Sequence, residues 1–171
     1  MDIHPIFVHF PIALMTFYAI AELMRFKKLT QTTYFFYVKA VLVIGGTISA
    51  FLALNTGETA EHLADRSLRP LIEMHATFAS ASTWIFGIIS VMYLISWISK
   101  SELNQKISMS SIGSYWNKVL TLVNKILNSS FMLLFALVGL IVITITGALG
   151  GAIVYGPDID PIVNFIYHLF F

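Results

Sequence analysis

Four long apolar stretches, separated by shorter polar segments, dominate the pattern of hydrophobic and polar residues along the chain. They run over residues 5–24, 38–55, 71–98 and 131–154. A helix needs about 20 mainly apolar residues to cross the hydrocarbon core of a bilayer. We therefore predict a single all-α domain over residues 1–171, built as an integral membrane four-helix bundle.

Two further segments are predicted to be helices that do not cross the membrane. Between residues 112 and 127 apolar side chains recur at helical spacing, with Lys118 and Lys125 on other faces, which is typical of an interfacial helix. The C-terminal tail offers Asp160 as an N-cap and Pro161 at the first helical position. Because the tail is too short to span, we expect it to lie on the outer face or to fold back on the bundle.

The composition agrees with a membrane protein, since 57% of the residues are hydrophobic and only 11% are charged. Soluble domains carry about a quarter charged residues. A net charge of +1 gives no electrostatic bias toward nucleic acid. The chain contains no cysteine, which excludes disulfides, thiolate metal sites and covalent c-type haem attachment.

The basic residues predict the orientation of the bundle. Eight of the ten Lys and Arg residues flank the connections after the first and third stretches, and two lie between the second and third. Basic residues concentrate on the cytoplasmic side of membrane proteins. We therefore expect both termini and the 56–70 segment outside the cytoplasm, with the interfacial helix on the cytoplasmic surface.

All five histidines fall on the side predicted to be extracytoplasmic. His9 and His75 are placed about one helical turn or more inside the first and third stretches, at similar depth. A buried imidazole needs a hydrogen-bond partner or a ligand, and neutral imidazole binds haem iron well. The pair predicts bis-histidine ligation of haem b, as in a membrane cytochrome b. His4 and His62 are expected nearer the headgroups, where they could ligate a second haem or metal, bond propionates, or face water.

Other residues near this end could contribute to the same site. Arg66 and Arg69 could pair with haem propionates, although a solvated loop with acidic neighbours also accounts for them. Gly150 and Gly151 could clear one face of the fourth helix for a planar macrocycle, although such glycines also mark close helix packing.

The sequence leaves two other functions open. Zinc or copper could bind His4, His9, His62 and His75 together with Glu61 or Glu73, in a metal-binding or transport protein. A structural or assembly subunit of a larger membrane complex would use its histidines only for local hydrogen bonds. With haem, we expect an electron-transfer protein or subunit rather than a stand-alone enzyme. Its partners would be a membrane quinol, extracytoplasmic redox proteins or further copies of the chain.

The motif HPIFVHFPIA, residues 4–13, resembles the opening of a bacterial membrane protein family described as a domain of unknown function, number 2231. The Thr-Gly pair at 56–57, His75 and GGAIVY at 150–155 are similar to its later motifs. The tail after Tyr155 departs from the family. The resemblance implies a bacterial inner membrane location and, because members resemble or are fused to redox domains, electron transfer.

Overall fold

The structure, a computed structural model, describes residues 4–30, 32–61 and 65–171. Within these residues all regular structure is helical, which confirms the predicted all-α class. A 3₁₀ turn covers Arg66–Leu68. The α-helices are α1 His4–Leu23, α2 Lys27–Thr30, α3 Thr33–Glu61, α4 Arg69–Ile98, α5 Leu103–Ser108, α6 Gly113–Leu127, α7 Ser130–Tyr155 and α8 Pro161–Phe170.

The four longest helices, α1, α3, α4 and α7, cover the four predicted spans to within one residue and are long and apolar enough to cross a membrane. Each packs against the next in chain order, and α7 closes the ring against α1. Successive helices run in opposite directions, so the start of α1 lies beside the end of α3. One end of the bundle therefore carries His4, and the opposite end carries Glu22.

A single row of side chains fixes how α1 faces the bundle. Pro11, Met15, Tyr18 and Glu22 are buried, and their spacing of three or four residues puts them on one face of the helix. In the centre of the bundle the Tyr18 ring meets Phe86 and Tyr93 edge to face, with centroids 6.1 and 5.7 Å apart. The geometry is the one that aromatic pairs prefer.

Small residues let the helices approach closely where the bundle is tightest. A Cβ on Gly46 of α3 would lie 2.9 Å from Met15 Cγ, and one on Gly139 of α7 would lie 2.9 Å from Phe86 Cζ. Between α3 and α4 the Thr47 and Ser90 hydroxyls are 2.8 Å apart. Such small and weakly polar contacts are typical of helix packing inside membranes.

The two amphipathic helices occupy opposite ends of the bundle. At the Glu22 end, α6 buries Leu120, Val123 and Leu127 and leaves both of its lysines exposed. At the His4 end, α8 begins as predicted, because Asp160 Oδ1 accepts from the amides of residues 162 and 163 at 2.8 and 2.9 Å. Its Val163 joins an apolar cluster with α4 and α7. The tail helix therefore packs against the bundle at the His4 end, which is the end predicted to be outer.

Candidate histidine site

Two histidines lie at the end of the bundle where α1 and α4 begin and α3 and α7 end. His4 is in the first turn of α1, and His75 is in the second turn of α4. Both are half-buried. The structure thus brings His4, rather than His9, to the same end of the bundle as His75.

The hydrogen bond of His4 defines which ring nitrogen carries the proton. His4 Nδ1 lies 3.0 Å from the Thr56 hydroxyl oxygen on α3. That hydroxyl donates its own proton to the Ala53 carbonyl at 3.0 Å, so it accepts from the imidazole. In this tautomer the proton is on Nδ1 and the lone pair is on Nε2.

His75 has the same arrangement through a different acceptor. Its Nδ1 lies 3.0 Å from the backbone carbonyl oxygen of Thr146 on α7, and a carbonyl can only accept. The proton is again on Nδ1, which leaves the lone pair on Nε2. Histidines that ligate metals usually donate their other ring N–H to a carbonyl or a similar acceptor, which fixes both tautomer and ring orientation.

Two glycines make room for the imidazoles themselves. A Cβ on Gly57 would lie 3.3 Å from Cε1 of His4, and one on Gly150 would lie 3.1 Å from Cε1 of His75. Gly151 has another neighbour, because its Cβ would meet Val163 of α8 at 3.3 Å. Gly150 therefore allows the His75 ring to pack closely, and Gly151 allows α8 to pack closely. Contact of either glycine with a cofactor stays a prediction.

The expectation that His9 is buried level with His75 is wrong, because His9 is exposed on the outer face of α1. It shares that face with Phe17, which is 61% exposed. The five residues from His4 to His9 correspond to about 140° around a helix. Once His4 faces the bundle, His9 must point away from it.

The remaining predicted residues lie at the rim of this end. Arg66 and Arg69 are exposed, and the Arg69 guanidinium is 3.0 Å from Glu73, whose side chain is 63% exposed. Glu61 is exposed as well, and His62 lies outside the described residues. Within ranges 4–30, 32–61 and 65–171 no group of three His, Asp or Glu side chains is placed to hold a metal ion.

The opposite end of the bundle contains a polar cluster that the sequence revealed only in part. Glu22 is 1% exposed. Its Oε2 accepts from Lys39 at 2.8 Å and from the Tyr93 hydroxyl at 3.0 Å, and its Oε1 pairs with Arg25 at 3.0 Å. In the sequence, the i,i+3 spacing of Glu22 and Arg25 indicates this one pair. The contact with Lys39 could have been found from the sequence, because Glu22 and Lys39 lie at matching depth in the first two spans.

The fold and these internal polar groups define a multi-pass helical membrane protein with paired histidines at one end. More particularly, the chain belongs to a family of predicted membrane proteins, DUF2231, which matches residues 1–160. This confirms the family resemblance, and α8 follows the matched region. No curated protein matches the chain, and no solved structure matches it.

Proposed function

We propose that the protein is an electron-transfer protein of the membrane that binds haem b through His4 and His75. The observation that carries the proposal is their shared hydrogen-bond pattern. Each imidazole, on a different helix of the same bundle end, donates Nδ1–H to a threonine oxygen and carries its lone pair on Nε2. Neutral imidazole nitrogens are axial ligands of haem iron, and helical bundles hold such cofactors between facing side chains.

The number of donors at this end favours haem over zinc. A structural zinc site takes four protein ligands and a catalytic site takes three, whereas the described residues offer no group of three. Haem would need only two protein ligands, and His4 and His75 would supply them. When bound, the iron would supply one-electron chemistry. The chain's own groups would orient the rings through Thr56 and Thr146 and limit access of water.

The proposal is tested by the spectrum of the full chain purified in mild detergent. We expect a b-type band in the reduced-minus-oxidised spectrum, lost in His4→Ala and in His75→Ala. His9→Ala is the matched control, because it removes the same imidazole from the exposed face and should keep the band. Circular dichroism shows whether each variant retains its helices.

Three results would overturn this assignment. A colourless protein that stays colourless after haem is added would exclude haem binding. Loss of the band in His9→Ala and His75→Ala, but not in His4→Ala, would return the ligand role to the pair predicted from the sequence, His9 and His75. Stoichiometric zinc or copper in place of haem, measured by metal analysis, would favour the metal-binding function.

We further propose that the histidine end faces away from the cytoplasm in a bacterial inner membrane. The distribution of Lys and Arg supports this orientation. Electrons would then pass between a membrane quinol and an extracytoplasmic redox protein. Because the chain has no cysteine, single cysteines report the orientation. In spheroplasts an impermeant maleimide should label Ile159→Cys directly and Lys118→Cys only after permeabilisation. The reverse pattern would refute the orientation.

A further inference from the structure

A polar cavity of about 250 Å³ opens at the Glu22 end of the bundle, far from the histidines. It lies between the start of α3, the end of α4 and the end of α6. Its walls are mainly hydroxyl, amide and ammonium groups, including those of Thr33, Lys39, Ser96, Lys100 and Asn124. None of the described residues that line it is acidic.

The charge around this cavity is positive. Glu22 is the carboxylate behind its wall, and that single negative charge is shared between Lys39 and Arg25. Lys100 adds a third cation, with its Nζ 4.9 Å from the centre of the Phe36 ring. Together, Glu22, Lys39, Arg25 and Lys100 carry an excess of two positive charges. An anion in the cavity would balance this excess.

Hydrogen-bond donors also point to an anionic ligand. Asn124 accepts from the Ser96 hydroxyl through Oδ1 at 2.9 Å, and no described residue accepts from its Nδ2. Thr33 begins α3, a helix of 29 residues, so the positive end of the helix dipole lies at the cavity. Ammonium, amide and helix-terminal donors together suit the several acceptor oxygens of a phosphate group.

We propose that this cavity binds a phosphate group, either in the headgroup of an anionic lipid or in a soluble phosphate compound. The shared chemistry is a phosphate oxyanion held between Lys39 and Lys100, with Asn124 as a neutral donor. The site is independent of haem binding. It lies at the end where the sequence predicts the cytoplasmic leaflet, whose anionic lipids attract basic segments.

The experiment measures binding to the full chain in detergent by native mass spectrometry and by the shift of its thermal unfolding midpoint. Its three arms add dioleoyl phosphatidylglycerol, the zwitterionic dioleoyl phosphatidylcholine, or inorganic phosphate. Saturable binding of phosphatidylglycerol alone assigns the site to a lipid headgroup. Saturable binding of inorganic phosphate assigns it to a soluble ligand. Equal binding of both lipids, or binding in no arm, would overturn the proposal.

Three variants locate the binding within the molecule. Lys100→Gln should weaken binding about fivefold, the effect of one cation near the surface. Asn124→Asp keeps an oxygen for Ser96 but replaces the donor with a negative charge, so it should weaken binding at least as much. Lys106→Gln, on exposed α5, makes the same charge change elsewhere and should bind like the parent chain. Equal weakening by Lys106→Gln and Lys100→Gln would show that net charge, not the cavity, controls binding.

Discussion

Removing the charge of Glu22 should destabilise the bundle more than almost any other conservative substitution. Glu22→Gln preserves the shape of the side chain but takes the negative charge from between two cations. Arg25 would keep its hydrogen bonds to the backbone carbonyl oxygens of Asn128 and Ser129, which are 3.3 and 2.8 Å from its guanidinium nitrogens. Lys39, whose side chain is only 14% exposed, would lose its carboxylate.

The burial of the partners sets the expected magnitude. Breaking a buried ion pair by removing one member costs about 3–5 kcal/mol, because the other charge remains buried and uncompensated. Arg25 is 29% exposed, so its share is small. Lys39 keeps its position over the Phe35 ring, with Nζ 5.2 Å from the centroid. We therefore expect a loss of about 3 kcal/mol in the free energy of unfolding, mostly through Lys39.

A double-mutant cycle in mixed micelles, with reversible unfolding by SDS, tests this explanation. Lys39→Met removes the orphaned cation, so Glu22→Gln should cost about 1 kcal/mol in that background, a coupling of about 2 kcal/mol. Arg69→Gln is the control, since it breaks an exposed pair and should cost less than about 0.5 kcal/mol. Additive effects of the Glu22 and Lys39 substitutions would refute the reasoning, because they would show that the lysine is not stranded.

Local geometry at Gly150, Asp160 and Asp65 sets the expected effect of three further changes. Gly150→Ala places a Cβ 3.1 Å from the His75 ring and should cost at least about 1 kcal/mol in the free energy of unfolding. Gly147→Ala is the control, because the nearest atom to its Cβ is 3.9 Å away. It should be neutral or should stabilise the protein by up to about 1 kcal/mol. Equal effects on the unfolding midpoint would contradict this. Asp160→Ala removes the N-cap of α8 and should cost about 1 kcal/mol locally, seen as faster amide exchange in that helix, while the asparagine variant should retain the cap. Similar exchange in both would contradict the capping role. Hydrogen bonding to the backbone amide two residues later lowers the pKa of Asp65 from its ordinary 3.8. The cap of the 3₁₀ turn is therefore fully formed above pH 3.8 and is lost as the pH falls through the lowered pKa of Asp65 in the folded protein. An NMR titration of Asp65 with a midpoint at or above pH 3.8 would contradict this prediction.

The four long helices could be predicted because lipid imposes a simple requirement, a continuous apolar run of sufficient length. Their ends could not be predicted as well. Helix α3 covers Thr33–Glu61, well beyond the predicted 38–55, because polar residues continue a helix after it leaves the hydrocarbon layer. Hydropathy reports transfer into lipid, and it does not report where helical hydrogen bonding ends. Local chemistry did predict the start of α8, since the Asp160 cap and Pro161 act within one turn.

The sequence could predict how deep each histidine lies below the membrane surface, but not which histidines face the bundle. Counting residues along a span gives the distance from the surface but not the face of the helix, and α1 is apolar nearly all round. Its few polar groups held the missing information. His4, Tyr18 and Glu22 are 14 and 4 residues apart, close to whole helical turns, so one face carries all three. That alignment selects His4 over His9 as the inward imidazole.

The two polar clusters of the bundle differ in the chemistry left to them. At one end, Glu22 is satisfied by groups of the chain itself, and its function is to join three helices. At the other end, each histidine donates Nδ1–H to a threonine oxygen, and in that tautomer Nε2 is the nitrogen that would bind the iron of the proposed haem. The 18 residues from His4 to Glu22 separate the clusters by about 27 Å along α1. With the proposed haem bound, substitutions at Glu22 should therefore alter its spectrum only when the bundle unfolds, whereas substitutions at His4 should alter it in a folded protein.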